Sequence, residues 1–420
     1  MFDAAKFVVA GAIVALFGGS MLAGVMPPRP SEEVAPAVKA SSPAAAEPTQ
    51  EPPTPLETYA EMRSRLVTEK AANRIDRVLD DGVGHTFYQV AEPFSVGSVW
   101  YRRIAFAPDG SAWLDTYAAT EDEVLDEVIR IGEIGSLTGG TGFHSLDDLE
   151  VAPDGTIWAL RPDDSGQTHV VSLEGSQWDR HDSGSVSHGA LEILADGSVW
   201  TRDRRALRRF DGDEWSVFPF SEAGIALPTK DGRWVFANDM AAAPDGTLWL
   251  AFDTTDEQGG LARFDGTSWA RVDPLGKRYQ SKADAVAVGD GSVVWAALAA
   301  CRGRGCLDDA SKHRYFLARF DGERWTVFDE DDGAAQTNAP GGWATEMAVS
   351  PDGLLLTTLR KPGGMGSVAL FDAAGRRAMI PREEMSAAGI GTIRAAPDGT
   401  FWILTGGVRI YIYTPPMAGD

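Results

Sequence analysis

From residue 97 onward, apolar and polar positions alternate in short runs broken by Asp-Gly pairs, as in "APDGSAWL" at 107, "APDGTIWA" at 152 and "APDGTLWL" at 243. Period-two alternation puts successive side chains on opposite faces of a strand, and glycine after aspartate takes the positive φ that a tight hairpin needs. Related hairpins stand at "LADGSVWT" (194), "VGDGSVVW" (288), "SPDGLLLT" (350) and "APDGTFWI" (396). Their aspartates are Asp109, Asp154, Asp196, Asp245, Asp290, Asp352 and Asp398, and the successive intervals are 45, 42, 49, 45, 62 and 46 residues. Such a period suits one four-stranded blade per repeat and predicts an all-β, seven-bladed β-propeller.

A second phrase falls later in the units, with Gly175 before Trp178, Gly212 before Trp215, Gly266 before Trp269, and Gly322 before Trp325, as in "LARFDGERW" at 317. It reads as the turn between the two outer strands, so the recurring aspartates and tryptophans are architecture and not a site. The last unit ends without an outer strand, while the β-prone "HTFYQVAEPF" at 85–94 belongs to no unit. That segment is expected to supply the missing strand and latch the two chain ends together.

Upstream the pattern changes. Residues 7–26, "FVVAGAIVALFGGSMLAGVM", are twenty uncharged residues, about the ~20 that cross a membrane as a helix. A single Lys6 and the poor cleavage site at Met21-Leu22-Ala23 favour an uncleaved single-pass anchor over a signal peptide. Glu32 and Glu33 beyond the span favour an extracytoplasmic remainder. Residues 27–55 hold nine prolines and read as an extended spacer. Residues 56–79, with Leu56, Tyr59, Met62 and Leu66 at helical spacing, read as a helix lying outside the ring. The expected domains are therefore an anchor at 1–26, a linker at 27–55, a helical stalk at 56–83 and a propeller at 84–420.

The formal charge of −23 and the lack of any Lys/Arg run argue against nucleic acid as a partner. Cys301 and Cys306 are the only cysteines and sit in the one large insertion, where a local disulfide is expected. No nucleophile elbow, zinc-protease helix, phosphate loop or C-x-x-C pair is present, and "DEDDG" at 329 lacks the register of a calcium loop. No metal or cofactor is expected.

"GLARFDG" followed by "RWTVF" and then "PDG" resembles the two-component regulator propeller repeat and, more loosely, virginiamycin B lyase propellers, over about residues 97–413. The first resemblance implies an extracytoplasmic sensing propeller. The second implies catalytic histidines and magnesium at the propeller mouth, for which only His144 and His188 stand near an inner strand.

Departures from the repeat nominate the site. Of thirteen tryptophans, Trp100, Trp234 and Trp343 fit neither phrase, and all three precede an inner strand. Six residues before each turn aspartate stand Arg103, Asp148, Ala190, Asp239, Asp284, Glu346 and Thr392, four of them acidic. The candidate ligand-binding residues are thus Arg103, Asp148, Asp239, Asp284, Glu346, Trp100, Trp234 and Trp343, with cations favoured by the acidic sector. The same residues would also suit loop anchoring and channel hydration. The preferred function is a membrane-tethered binding propeller for a small molecule, glycan or protein; a lyase or hydrolase at the same mouth and a pure interaction scaffold are the alternatives.

Overall fold

The computed structural model describes residues 75–80, 86–90, 98–119, 124–130, 136–137, 146–174, 177–186, 190–203, 205–222, 235–254, 259–302, 312–328, 343–360, 367–380, 390–405 and 409–415, all within the unit Pro55–Asp420. Each Asp-Gly phrase closes a hairpin between an inner and a second strand. In the fourth unit the Ala243 N–H donates to Thr247 O and the Gly246 N–H to Ala243 O, with Gly246 at φ 83°. The "RFDG" phrase joins the third and fourth strands, where Phe210, Phe264 and Phe320 pair across the ladder with Trp215, Trp269 and Trp325.

Six antiparallel sheets are four-stranded blades. Their inner strands are Ser98–Phe106, Asp148–Val151, Leu191–Ile193, Val235–Ala242, Gln280–Val288 and Trp343–Val349. A five-stranded sheet completes the circle: Ile390–Ala395 is innermost, followed by Phe401–Thr405, Arg409–Thr414, Thr86–Val90 and Ile75–Asp80. Each inner strand neighbours the next, and Ile390–Ala395 neighbours Ser98–Phe106. Thr392 Oγ1 donates to Arg102 O across that last junction at 3.2 Å.

The fold class differs from the seven-bladed propeller that the repeat predicts. The sheets are not seven equal four-stranded blades, but six such blades and a five-stranded closing sheet. No α-helix occurs among the described residues, and none of them forms a helix long and apolar enough to cross a membrane. The anchor expected at 7–26 lies outside those residues. Where the stalk helix was expected to end, Ile75–Asp80 is instead a strand paired with Thr86–Val90. The physical reason is the open edge of the latch: once Thr86–Val90 has paired with Arg409–Thr414, its other side offers unpaired backbone groups that recruit a further strand.

The core lies between the sheets. Second-strand tryptophans reach the next unit's phenylalanine, as in Trp158 on Phe210, Trp200 on Phe264, Trp249 on Phe320 and Trp295 on Phe371, with ring centroids 5.9–6.3 Å apart. Trp200, Trp249, Trp295, Phe264 and Phe371 are buried. Burying each such side chain is worth about 1.5–3 kcal/mol. The repeat is thereby explained as packing.

Candidate functional site

A cavity of about 440 Å³ opens among the inner strands, lined on its charged side by Arg103, Asp147, Asp148, Glu150, Glu192, Arg202, Asp239, Asp284, Glu346 and Arg394. Small polar and apolar side chains such as Ala190, Ala241 and Ala348 complete the wall. Its position follows from the inner strands themselves. Their register against the second strands slips at Arg102, Asn238, Asp284, residues 345–346 and Gly391. A bulge of this kind inserts one unpaired residue and re-aims its neighbours. Here the slips recur at one level of the channel.

Side chains at this level also tie the first five units together in series. Arg103 Nε donates to Asp147 O at 2.8 Å, and the Leu191 N–H donates to Asp148 Oδ2 at 2.9 Å. Arg202 Nη2 donates to Asn238 O at 3.0 Å, and Asn238 Nδ2 to Ala283 O at 2.7 Å. The Val286 N–H donates to Asp239 Oδ2 at 3.0 Å. Asp148 and Asp239 are therefore structural as well as channel-lining, which matters for choosing variants.

Two residues deeper stand Glu150, Glu192 and Arg394, where other units carry Ala105, Ala241, Ala287 and Ala348. The alanines leave room for three long charged chains. Burial pushes Glu150 up to about 8; the Arg394 guanidinium opposes the shift and Asp148 adds to it. Burial also raises Glu192 well above the carboxylate range, helped by Glu150 and Asp148 and opposed by the Ala242 N–H. Burial works against the Arg394 charge, but Asp148, Glu150, Glu346 and Asp239 outweigh it and raise its pKa. Asp239 and Asp284 are raised by burial too, the latter opposed by Lys282 at 3.5 Å.

The structure thus brings Arg103, Asp148, Asp239, Asp284 and Glu346 to one cavity. Asp284 arrives by a different route from the one its spacing suggests. In the fifth blade the hairpin bond runs from the Ser292 N–H to Gly289 O, so the turn is displaced by one residue and Ala285 takes the position of Asp239. Asp284 occupies the bulge itself, as Asn238 does. Trp100 and Trp343 lie on inner strands with their side chains outside the described residues, as do Trp234, His144, His188 and Cys306 entirely. Cys301 is buried and disulfide-bonded. The repeat count missed Glu150, Glu192 and Arg394, although charged residues where other units carry alanine were a usable signal. It also missed Arg202, six residues after Asp196 on a second strand, where other units carry Asp115, Leu160, Ala251, Thr358 or Leu404.

No protein-family model matches the chain, and no curated protein matches it. Membership of the two-component regulator propeller repeat family is accordingly not established. Among solved structures the chain is similar to a streptogramin B lyase, with TM-score 0.52 and 12% identity over 80% of this chain and 99% of that one. It is similar also to the extracellular domain of a putative one component system from B. thetaiotaomicron, with TM-score 0.50 and 10% identity over 76% of this chain and 39% of that one. YCF48 from Cyanidioschyzon merolae matches with TM-score 0.50 and 12% identity over 79% and 99%. Likeness at these identities is likeness of fold, and propellers carry unrelated functions.

Proposed function

We propose that the protein is an extracytoplasmic binding module whose channel mouth takes a small polar ligand. The observation that carries this reading is the cavity of about 440 Å³ walled by charged side chains, which the inner-strand bulges hold at one level. Ligand sites are concave, few per protein, and oriented by a small set of convergent polar groups. The disulfide at Cys301, whose partner we take to be Cys306, supports an oxidising compartment, and the apolar run at 7–26 supports delivery to a membrane.

Asp284 and Glu346 make the cleanest test, because Asp239 and Asp148 also accept backbone N–H groups of a neighbouring unit. A library of polar metabolites screened by native mass spectrometry should yield ligands whose affinity falls at least tenfold in an Asp284→Asn/Glu346→Gln variant with an unchanged melting temperature. Ligands that all bind the variant as they bind the parent protein would place binding elsewhere.

A further inference from the structure

The channel holds charges of both signs, and while Arg394 approaches Asp148 at 3.7 Å, the channel's other two guanidinium groups close on no carboxylate among the described residues. Arg202 reaches the cavity from the second strand of the third blade, one register step beyond the Leu191↔Thr201 pair, which sets it opposite Ala190. Only 8% of the residue is exposed. Its Nη2 donates to Asn238 O, its Nε has no acceptor, and no carboxylate stands within ion-pair distance among the described residues. Burial lowers its pKa, and Asp239 and Asp148 offset this from farther away. Arg103 lines the same cavity and spends its Nε on Asp147 O, leaving its terminal N–H groups without a protein acceptor among the described residues.

The opposite sign stands on the fourth to sixth blades. Asp239 is held by the Met240 and Val286 N–H groups and has no cation in contact among the described residues. Asp284 shares Lys282, at 3.5 Å, with Asp253 at 3.7 Å. A buried guanidinium without a contact carboxylate is costly, as is a buried carboxylate without a contact cation. Both costs would fall together if one molecule supplied both missing partners. The inner strands and their cross-unit hydrogen bonds keep the two groups from collapsing onto each other.

Resting on the reading that the channel binds a small molecule, we infer that its ligand is a zwitterion of the amino-acid or short-peptide class. The ammonium group lies against Asp239, Asp284 and Glu346, and the carboxylate on Arg202 and Arg103. A cavity of about 440 Å³ accommodates such a ligand and some of its hydration. Guanidinium is suited to the carboxylate because its N–H groups can engage both oxygens.

The ω-amino acids from glycine to 6-aminohexanoate serve as a ruler, because they vary only the separation of the two charges. Each is titrated calorimetrically into the full chain beside the n-alkylamine and the n-alkanoate of matching length. One chain length should bind at least tenfold tighter than either of its halves. Arg202→Met should remove that advantage while leaving the alkylamine within twofold, and Arg202→Lys should restore part of it. Retention of alkylamine binding also shows that the variant is folded. An alkylamine that equals its zwitterion in the parent protein overturns the inference but leaves a channel ligand in place, provided Asp284→Asn/Glu346→Gln weakens that amine. An alkanoate that equals its zwitterion overturns it likewise, and so does a series in which nothing binds. Failure of the series together with library ligands indifferent to Asp284 and Glu346 would overturn both readings.

Discussion

Aspartate is used at the hairpin rim and in the channel, and the two uses are opposite. At the rim, Asp154, Asp196, Asp245 and Asp398 each accept the N–H of the residue two positions on, at 2.9 Å. Asp196 also accepts the Ser198 hydroxyl, and these bonds hold its pKa below the usual value. Asp211 and Asp321, in the outer-strand turns, are lowered by backbone N–H groups in the same way. In the channel Asp239 and Asp284 are pushed upward by burial, and Glu150 and Glu192 more so. The rim groups recur from unit to unit because every hairpin needs its turn. The channel groups differ from unit to unit because packing does not dictate them, so chemistry is to be sought where the repeat fails.

Only a closed ring has a channel, and opening that ring should have the largest effect. Thr86–Val90 pairs with Arg409–Thr414 over five residue pairs and also carries Ile75–Asp80 on its other side. Deleting residues 84–94 should cost several kcal/mol, because ladder hydrogen bonds and packing are lost together. The exposed edge of Arg409–Thr414 should then promote association. Thermal melts and sedimentation of the deletion variant check both effects. A monomer with the parent's melting temperature would show that closure does not depend on this strand.

Hairpins, outer turns and the latch were legible because each rests on local chemistry. Asp-Gly at Asp245 and Gly246 encodes its turn directly, and the unassigned "HTFYQV" could be matched to the unit lacking a strand. The strand at Ile75–Asp80 was not legible, because "LVTEKAANRIDRVL" has helical spacing and its pairing is set by an edge distant in sequence. The mouth carboxylates could be counted from the turn aspartate only where the turn has its usual length. In the fifth blade "VGDGSVVW" shifts the turn by one, so the count found Asp284 at a bulge. Arg202 was illegible to any count along inner strands, since it enters from a second strand through the register of the ladder.

The next effect in size sharpens the contrast through pH. Burial pushes Glu150 from the ordinary 4.5 up to about 8 in the folded protein. The folded state therefore binds the extra proton between these limits. Its contribution to stability is full below about pH 4.5, declines as pH rises through about 8, and is level beyond. Rim aspartates have the opposite sign: their contribution is present above the ordinary aspartate range and is lost as pH falls through their lowered values. Urea melts at roughly pH 5 and pH 8 should thus differ, with the Glu150 share roughly 1–3 kcal/mol. Glu150→Gln should reduce that difference by the Glu150 share, with Glu192 supplying much of the rest, while leaving the acid limb in place. An unchanged slope between the two pH values would mean that Glu150 titrates normally and that the throat is as wet as the rim.

The smallest effect tests whether the rim really is one part repeated. Gly155, Gly246 and Gly399 have φ of 89°, 83° and 84°, and a Cβ added to any of them meets nothing within 4 Å. Alanine at each should therefore carry a backbone cost and no steric one, about 1 kcal/mol in every case. Ser292 is the single non-glycine residue at positive φ among those described, at 56°, and occupies the same hairpin position in the fifth blade. There the reverse change, Ser292→Gly, should be neutral or stabilising by a few tenths of a kcal/mol, because relief of the left-handed strain is partly offset by a freer unfolded chain. Chemical denaturation of the four variants reads the differences directly. Alanine costs that agree within about 0.5 kcal/mol, with the opposite sign or no effect at Ser292, would establish the rim as interchangeable. A cost at one glycine several times that at the others would mean that this hairpin has acquired a contact or a role of its own, and the line between repeated architecture and particular chemistry would have to be redrawn through it.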